Sequence, residues 1–201
     1  ASSATISQCH SGGGTVQSTG NNIGGLIGGA TSNSTSHVTI TIDNSSSSSL
    51  VRGTGVASKQ VGGFIGDITT SQITNSYATG NVSAPNITAY SNSGIGGFVG
   101  DGHNSTFDNC YATGNVDAEY EYVGGFMGAG RGHTVTRSYA TGAVTSSGET
   151  ARSCGGFTGL VRSPQAGTPN SYSNIYATGN VTTCGRHAGG HAGHLPDSAA
   201  G

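Results

Sequence analysis

The 201 residues include 37 glycines, one methionine and no tryptophan, with 32% hydrophobic and only 8% charged residues. So few apolar side chains cannot fill a wide globular core, but they can fill a narrow one repeated along an axis. The net charge of −2 rests on seven scattered Lys and Arg residues, which argues against nucleic acid as a partner, and no apolar run is long enough for insertion as a membrane helix.

The chain opens on Ala-Ser-Ser-Ala, which suits a mature end left by cleavage. Residues 1–23 read as half a repeat. Two signatures then alternate. The first is GGLIG at Gly24, GGFIG at Gly62, GGFVG at Gly96, GGFMG at Gly124 and GGFTG at Gly155, with a decayed GGHAG at Gly189. The second is YATGNV, starting at Tyr77, Tyr111, Tyr139 (as YATGAV) and Tyr176, with LVRGTGV from Leu50 as a looser copy. In the three middle repeats the two lie fifteen residues apart. The gap widens in the first and fifth repeats, where residues 45–49 and 163–169 read as insertions. The repeats fall at 24–61, 62–95, 96–123, 124–154 and 155–188, with a closing half repeat at 189–201, all within one domain of residues 1–201.

A constant core with variable connectors is what stacked rungs produce, because strands must hold register while loops may lengthen. Residues 61–66 predict a short glycine-bearing strand, and residues 73–82 predict strand, turn and strand. No segment carries helical apolar spacing, and glycine is too frequent for helices. Stacked rungs place Phe64, Phe98, Phe126 and Phe157 in one column. Tyr77, Tyr111, Tyr139 and Tyr176 form a second, Val82, Val116, Val144 and Val181 a third, and Ile73, Phe107 and Val135 a fourth. These columns read as the stacking core, while Ala78, Ala112, Ala140 and Ala177 with the repeated glycines permit close backbone approach.

The GGFIG, GGFVG and GGFMG segments combined with YATGNV resemble the GLUG-motif repeat family over about Gly24 to Gly193. The resemblance implies an all-β, right-handed β-solenoid of about five to six rungs. It also implies a place in surface adhesins or the non-catalytic regions of large secreted proteins, and it transfers no catalytic residues.

Chemistry-bearing residues are sparse, and the chain reads as no enzyme: no catalytic residue is assigned. Asp67 and Asp101 share one repeat position, so on neighbouring rungs they would repel unless a proton or a Ca²⁺ ion lay between them. His187, His191 and His194 cluster near the end of the chain as candidate metal ligands, although a Gly-rich segment gives them no fixed geometry. No other cofactor is expected. Six N-x-S/T sequons mark Asn33, Asn44, Asn81, Asn86, Asn104 and Asn180 for covalent glycans in a secreted chain. Cys154 and Cys184 fall on neighbouring rungs and suit a disulfide. Cys9 and Cys110 share a repeat position several rungs apart, so they cannot pair within a straight solenoid: either they are free, as buried small hydrophobes, or one bonds outside its own chain.

The opening half repeat and the closing half repeat would together make one whole, which points to head-to-tail stacking of this chain on itself. The expectation is an extracellular or cell-surface structural protein, the glycosylated subunit of a filament, appendage or surface layer. Two other readings stand beside it. One is an adhesin segment contacting glycans or host protein through loops 30–49, 84–93 and 162–173, with Tyr90, Tyr120, Tyr122 and Tyr172 as contact aromatics. The other is a polysaccharide-active enzyme.

Overall fold

The computed structural model describes residues 3–31, 39–56, 58–87, 94–119, 122–148, 152–163, 168–182 and 185–195. Among them there is no helix, and the strands form five six-stranded sheets whose pairings are parallel. One turn of this β-solenoid is Gln60–Gly62, Ile65–Thr69, Ser71–Thr74, Tyr77–Ala78 and Val82–Ala84. We call the sheets built on these strands I to V. Residues 61–66, expected as one strand, bend at Gly63 and Phe64 and so contribute to sheets I and II. Residues 73–82, expected as two strands, touch three sheets.

Register follows the repeats. Tyr77 faces Tyr111, Val82 faces Val116 and Ile73 faces Phe107 on the next turn. The phenylalanine rings stack at 4.7, 4.8 and 4.7 Å from Phe64 through Phe98 and Phe126 to Phe157, and all four are fully buried. That distance is the spacing of hydrogen-bonded strands, so like side chains pack on like without a gap. His191 continues the column, stacked on Phe157 at 5.4 Å, which makes GGHAG a working turn.

The tyrosines stack as regularly, at 4.8, 4.8 and 4.9 Å, but they are not core. In a strand, alternate side chains point to opposite faces. Ala78, Ala112 and Ala140 are buried, so their tyrosine neighbours face outward, and Tyr176 is 51% exposed. Each ring face is covered by the next ring, leaving edges and hydroxyls at the surface. Val82, Val116 and Val144 are buried as expected, and Val181 is half-buried in the last turn.

The spacing between the two signatures has a physical cause. A Cβ on Gly63 would lie 3.3 Å from the Ala78 methyl and 2.1 Å from the Gly97 carbonyl oxygen, and Gly97, Gly125 and Gly156 repeat this against Ala112, Ala140 and Ala177. The second glycine of these four GG pairs therefore rests on the alanine of YATG, and Gly25 meets Ser47 in the same place. This contact pinches the cross-section into two apolar compartments. One holds the Phe64 and Ile73 columns and the other the Val82 and Val61 columns.

The corner before each YA is set by a left-handed residue. Gln8, Asn44, Asn75, Asn109, Arg137 and Asn174 all have φ between 47° and 54°, a region that asparagine tolerates better than most residues. The next position forms a ladder in which Ser45 Oγ accepts from the Cys9 amide at 3.1 Å, Ser76 Oγ from the Ser45 amide at 3.2 Å, and Ser138 Oγ from the Cys110 amide at 3.1 Å. Cysteine stands in for serine here, the Cys110 thiol donating to the Asp108 carbonyl at 3.4 Å. Cys9 and Cys110 are both free. Cys110 is the buried small residue expected, whereas Cys9, on the outermost turn, is exposed.

Two assignments in the first repeat need correction. Ser46 pairs with Tyr77, and Val51 pairs with Val82. Residues 45–49 are therefore rung residues, not an insertion, and LVRGTGV is no copy of YATGNV. Ala30 matches Ile68 and Ile40 matches Ser71, so the extra residues lie between Ala30 and Ile40.

Candidate functional site

Sheets I and II fold back on one another so closely that a Cβ on Gly66 would come within 2.6 Å of the Ile23 amide nitrogen. Outside this fold runs a crease parallel to the solenoid axis, and it gathers much of the charge in a sparsely charged chain. One wall is the position two before each GG: Gln60, Gly94, Tyr122, Ser153 and His187. The other wall holds Asp67, Asp101, Ala129, Leu160 and His194. Beside them come Thr69, His103 and Arg131 in register, and then Arg162, whose amide binds the Gly130 carbonyl at 2.8 Å.

Asp67 and Asp101 are direct partners across two turns, as the repeat position requires. Burial, and then the neighbouring Asp101 charge, push the Asp67 carboxyl above the usual carboxylate range. Asp101 is only 3% exposed, and Arg162 reaches it at 2.7 and 2.9 Å from one nitrogen to both carboxylate oxygens. His103 Nε2 lies 3.3 Å from the same carboxylate. Arg162 can span from its own turn to Asp101 because the turn between them carries the small Ala129 at that position. A guanidinium thus pairs with Asp101, one member of the stacked pair, and offsets part of the repulsion that like charges would otherwise suffer.

Along the same crease lies a cavity of about 340 Å³ lined by Gln60, Asp101, His103, Arg131 and Arg162. Two enclosed polar atoms of its lining residues, Arg131 Nε and His103 Nδ1, have no hydrogen-bond partner among the described residues. Further along, the Arg152 guanidinium lies 3.4 Å from the Tyr122 hydroxyl, and Tyr122 packs with Ala129 and Leu160.

The three histidines are not brought together. The His187 and His194 rings sit 4.6 Å apart in the crease, whereas His191 caps the phenylalanine column against Phe157 and Tyr172, its outer side exposed, and partial burial lowers its basicity. The cause is alternation: His194 occupies the Asp67 position and His191 the Phe64 position. Among the described residues no group of three or more His, Cys, Asp or Glu side chains is placed to hold a metal ion.

A polar pair of a fully buried histidine and a half-buried tyrosine lies against the core. Tyr172, expected on a loop, occupies the Ile73 column and meets Phe157 edge-on. Its hydroxyl is 2.6 Å from His133 Nε2. Burial lowers the His133 pKa to about 4 and raises that of Tyr172. Tyr122 lies in the crease and Tyr172 in the core, so these two do not converge on one face; Tyr90 and Tyr120 lie outside the described residues.

Of the sequons, Asn44, Asn81, Asn86 and Asn180 are exposed. The Asn81 amide oxygen accepts from the Asn115 backbone at 2.9 Å. Asn104 is half-buried with its Oδ1 enclosed, and Asn33 lies outside the described residues. Cys154 is buried in sheet I opposite Ala188, while Cys184 lies outside the described residues.

Sequence reading found Asp67 and Asp101 but missed His103, Arg131 and Arg162. The signal was available: these residues stand seven positions after GG in successive repeats, two beyond the aspartate position and on the same face.

Five parallel sheets in register, with one face of two of them carrying clustered charge, define a β-solenoid repeat protein. Residues 57–83 and 91–117 each match the GLUG motif, so the chain carries GLUG repeats. No curated protein matches it.

Proposed function

We propose that this chain is an extracellular structural module, not an enzyme, which stacks head to tail on further copies of itself to build a filament, appendage or surface layer. The observation that supports this is the unbroken ladder. Each of the five sheets runs through six strands in register, and the outermost strands have one edge without a strand partner among the described residues. Parallel edges of that kind pair readily with another chain of matching spacing. The last turn adds apolar surface: a cavity of about 380 Å³ opens between Val161, Tyr172, His191 and Leu195. Leu195 and Tyr176 are 62% and 51% exposed. A second copy laid on this turn would cover both and extend the phenylalanine column beyond His191.

Glycans on Asn44, Asn81 and Asn86 would stand on the flanks of inner turns and would solubilise a surface with few charges, whereas Asn180 directly precedes Val181–Thr182, the outermost strand of its sheet, and would have to stay bare for a second copy to stack there. We further propose a Cys154–Cys184 disulfide in the last two turns, which an extracellular location would preserve.

Electron microscopy with light scattering across a concentration series tests the assembly. The intact protein should form unbranched filaments with an axial repeat of six turns. Thr5→Pro, in the edge strand Ser3–Ser7, should stay folded and shift assembly to far higher concentration, because proline removes an edge donor. A folded wild-type protein that remains monomeric at the highest concentrations would overturn the reading.

A further inference from the structure

We propose that the crease is a binding site for an acidic sugar, with the carboxylate on Arg131 and the ring hydroxyls on Asp101, His103 and Gln60. This goes beyond the stacking role and needs none of its contacts. The cavity of about 340 Å³ is of the size that takes one small polar ligand.

The chemistry of the lining selects the ligand. Arg162 is engaged with Asp101, so those two charges offset one another. Asp67 lies beyond Asp101, two turns from Arg131. Arg131 therefore brings a guanidinium with no carboxylate opposite it among the described residues, and its enclosed Nε has no partner. A planar guanidinium matches a carboxylate through two parallel hydrogen bonds. A monoanion balances this single charge, whereas a phosphate dianion would leave one negative charge uncompensated.

The remaining groups suit hydroxyls. His103 Nδ1 is enclosed without a partner, Asp101 oxygens accept, and the Gln60 amide both donates and accepts. A ligand with one carboxylate and several hydroxyls uses all of them. Acetate or a neutral hexose uses only half.

Titration of the ¹⁵N-labelled intact protein with glucuronate, glucose, acetate and sulfate, followed by NMR, tests the proposal. Glucuronate should bind saturably in the millimolar range with shifts centred on His103 and Arg131, and glucose and acetate should each bind about tenfold more weakly. Arg131→Gln should weaken glucuronate by about tenfold or more, as expected for loss of a charge-assisted pair. Arg131→Lys keeps the charge without the planar fork and should fall between, which leaves a readout if the glutamine variant fails to fold. Binding of glucose equal to that of glucuronate, displacement of glucuronate by equimolar sulfate, absence of saturation, or wild-type affinity in both variants would each overturn the assignment.

Discussion

Gly63, Gly97, Gly125 and Gly156 rest on Ala78, Ala112, Ala140 and Ala177 in four successive turns, and in the turn before them Gly25 rests on the small Ser47. Along the crease, the position two before GG holds Gln60, Gly94, Tyr122, Ser153 and His187, five residue types in five turns. Both columns run along one axis at one spacing, and only their surroundings differ. Where two sheets pinch together, the backbone leaves no room for choice. Where the backbone opens outward, glutamine, tyrosine, serine and histidine are all accepted, although at Gly94 a Cβ would meet the Gly100 carbonyl oxygen at 2.2 Å, so the identity of most is available for recognition. In a repeat fold, uniform columns mark what the stack requires, and irregular columns are where function can be written.

The largest effect should come from the pinch. A Cβ at Gly125 would sit 2.1 Å from the Gly156 carbonyl oxygen and 3.1 Å from the Ala140 methyl. We expect Gly125→Val to abolish cooperative folding, a loss beyond about 4 kcal/mol, measured by circular dichroism and thermal melting. Combining it with Ala140→Gly should not rescue folding, because the carbonyl oxygen is the nearer obstacle. Rescue would show that the methyl, rather than the backbone, sets the limit.

A smaller effect should come from a place where an interior column breaks its own rule. Ser71 and Ser105 precede their strand pair with small hydroxyls, and the next turn puts His133 there, fully buried against Tyr172. Burial holds the folded His133 pKa at about 4, below the ordinary histidine value of about 6.5, so the unfolded chain takes up the proton first. Stability should be full above about pH 6.5 and fall as pH drops toward about 4, by about 3 kcal/mol from this group. Denaturant melts between those pH values would measure it. The double variant His133→Ser, Tyr172→Phe should flatten that slope, since it removes both polar partners and places in the Ile73 column the residue already present at Phe107. An unchanged slope would assign the pH dependence elsewhere.

The same contrast explains what could be read before the structure. The phenylalanine, valine and alanine columns were legible because identity between turns is itself the signal, and the stacked Asp67 and Asp101 followed from equal repeat position. Ser46 was not legible as the counterpart of Tyr77, because a serine in a serine run carries no pattern, and the extra residues of the first repeat were misplaced as a result. The outward face of the tyrosines follows from the alternation with Ala78, which a column reading alone ignores. The contact of Arg162 with Asp101 crosses 61 residues and an intervening turn, a reach that depends on Ala129 being small and on no spacing rule.

The smallest effect should come from the crease wall, where the comparison is most easily broken. Gln60 is half-buried and lines the cavity, and the same position on the next turn is Gly94, which has no side chain at all. The strand Gln60–Gly62 is held by its backbone pairing and by Val61, which is fully buried. Gln60→Ser keeps that pairing and creates no cavity inside the solenoid. We expect a stability change within about 0.5 kcal/mol, as for ordinary surface substitutions, visible as a melting shift of no more than about 2 °C. A loss near that of the glycine variant would mean that the crease is part of what holds the turns together, and its varied residues could then no longer be read as positions left open for a ligand.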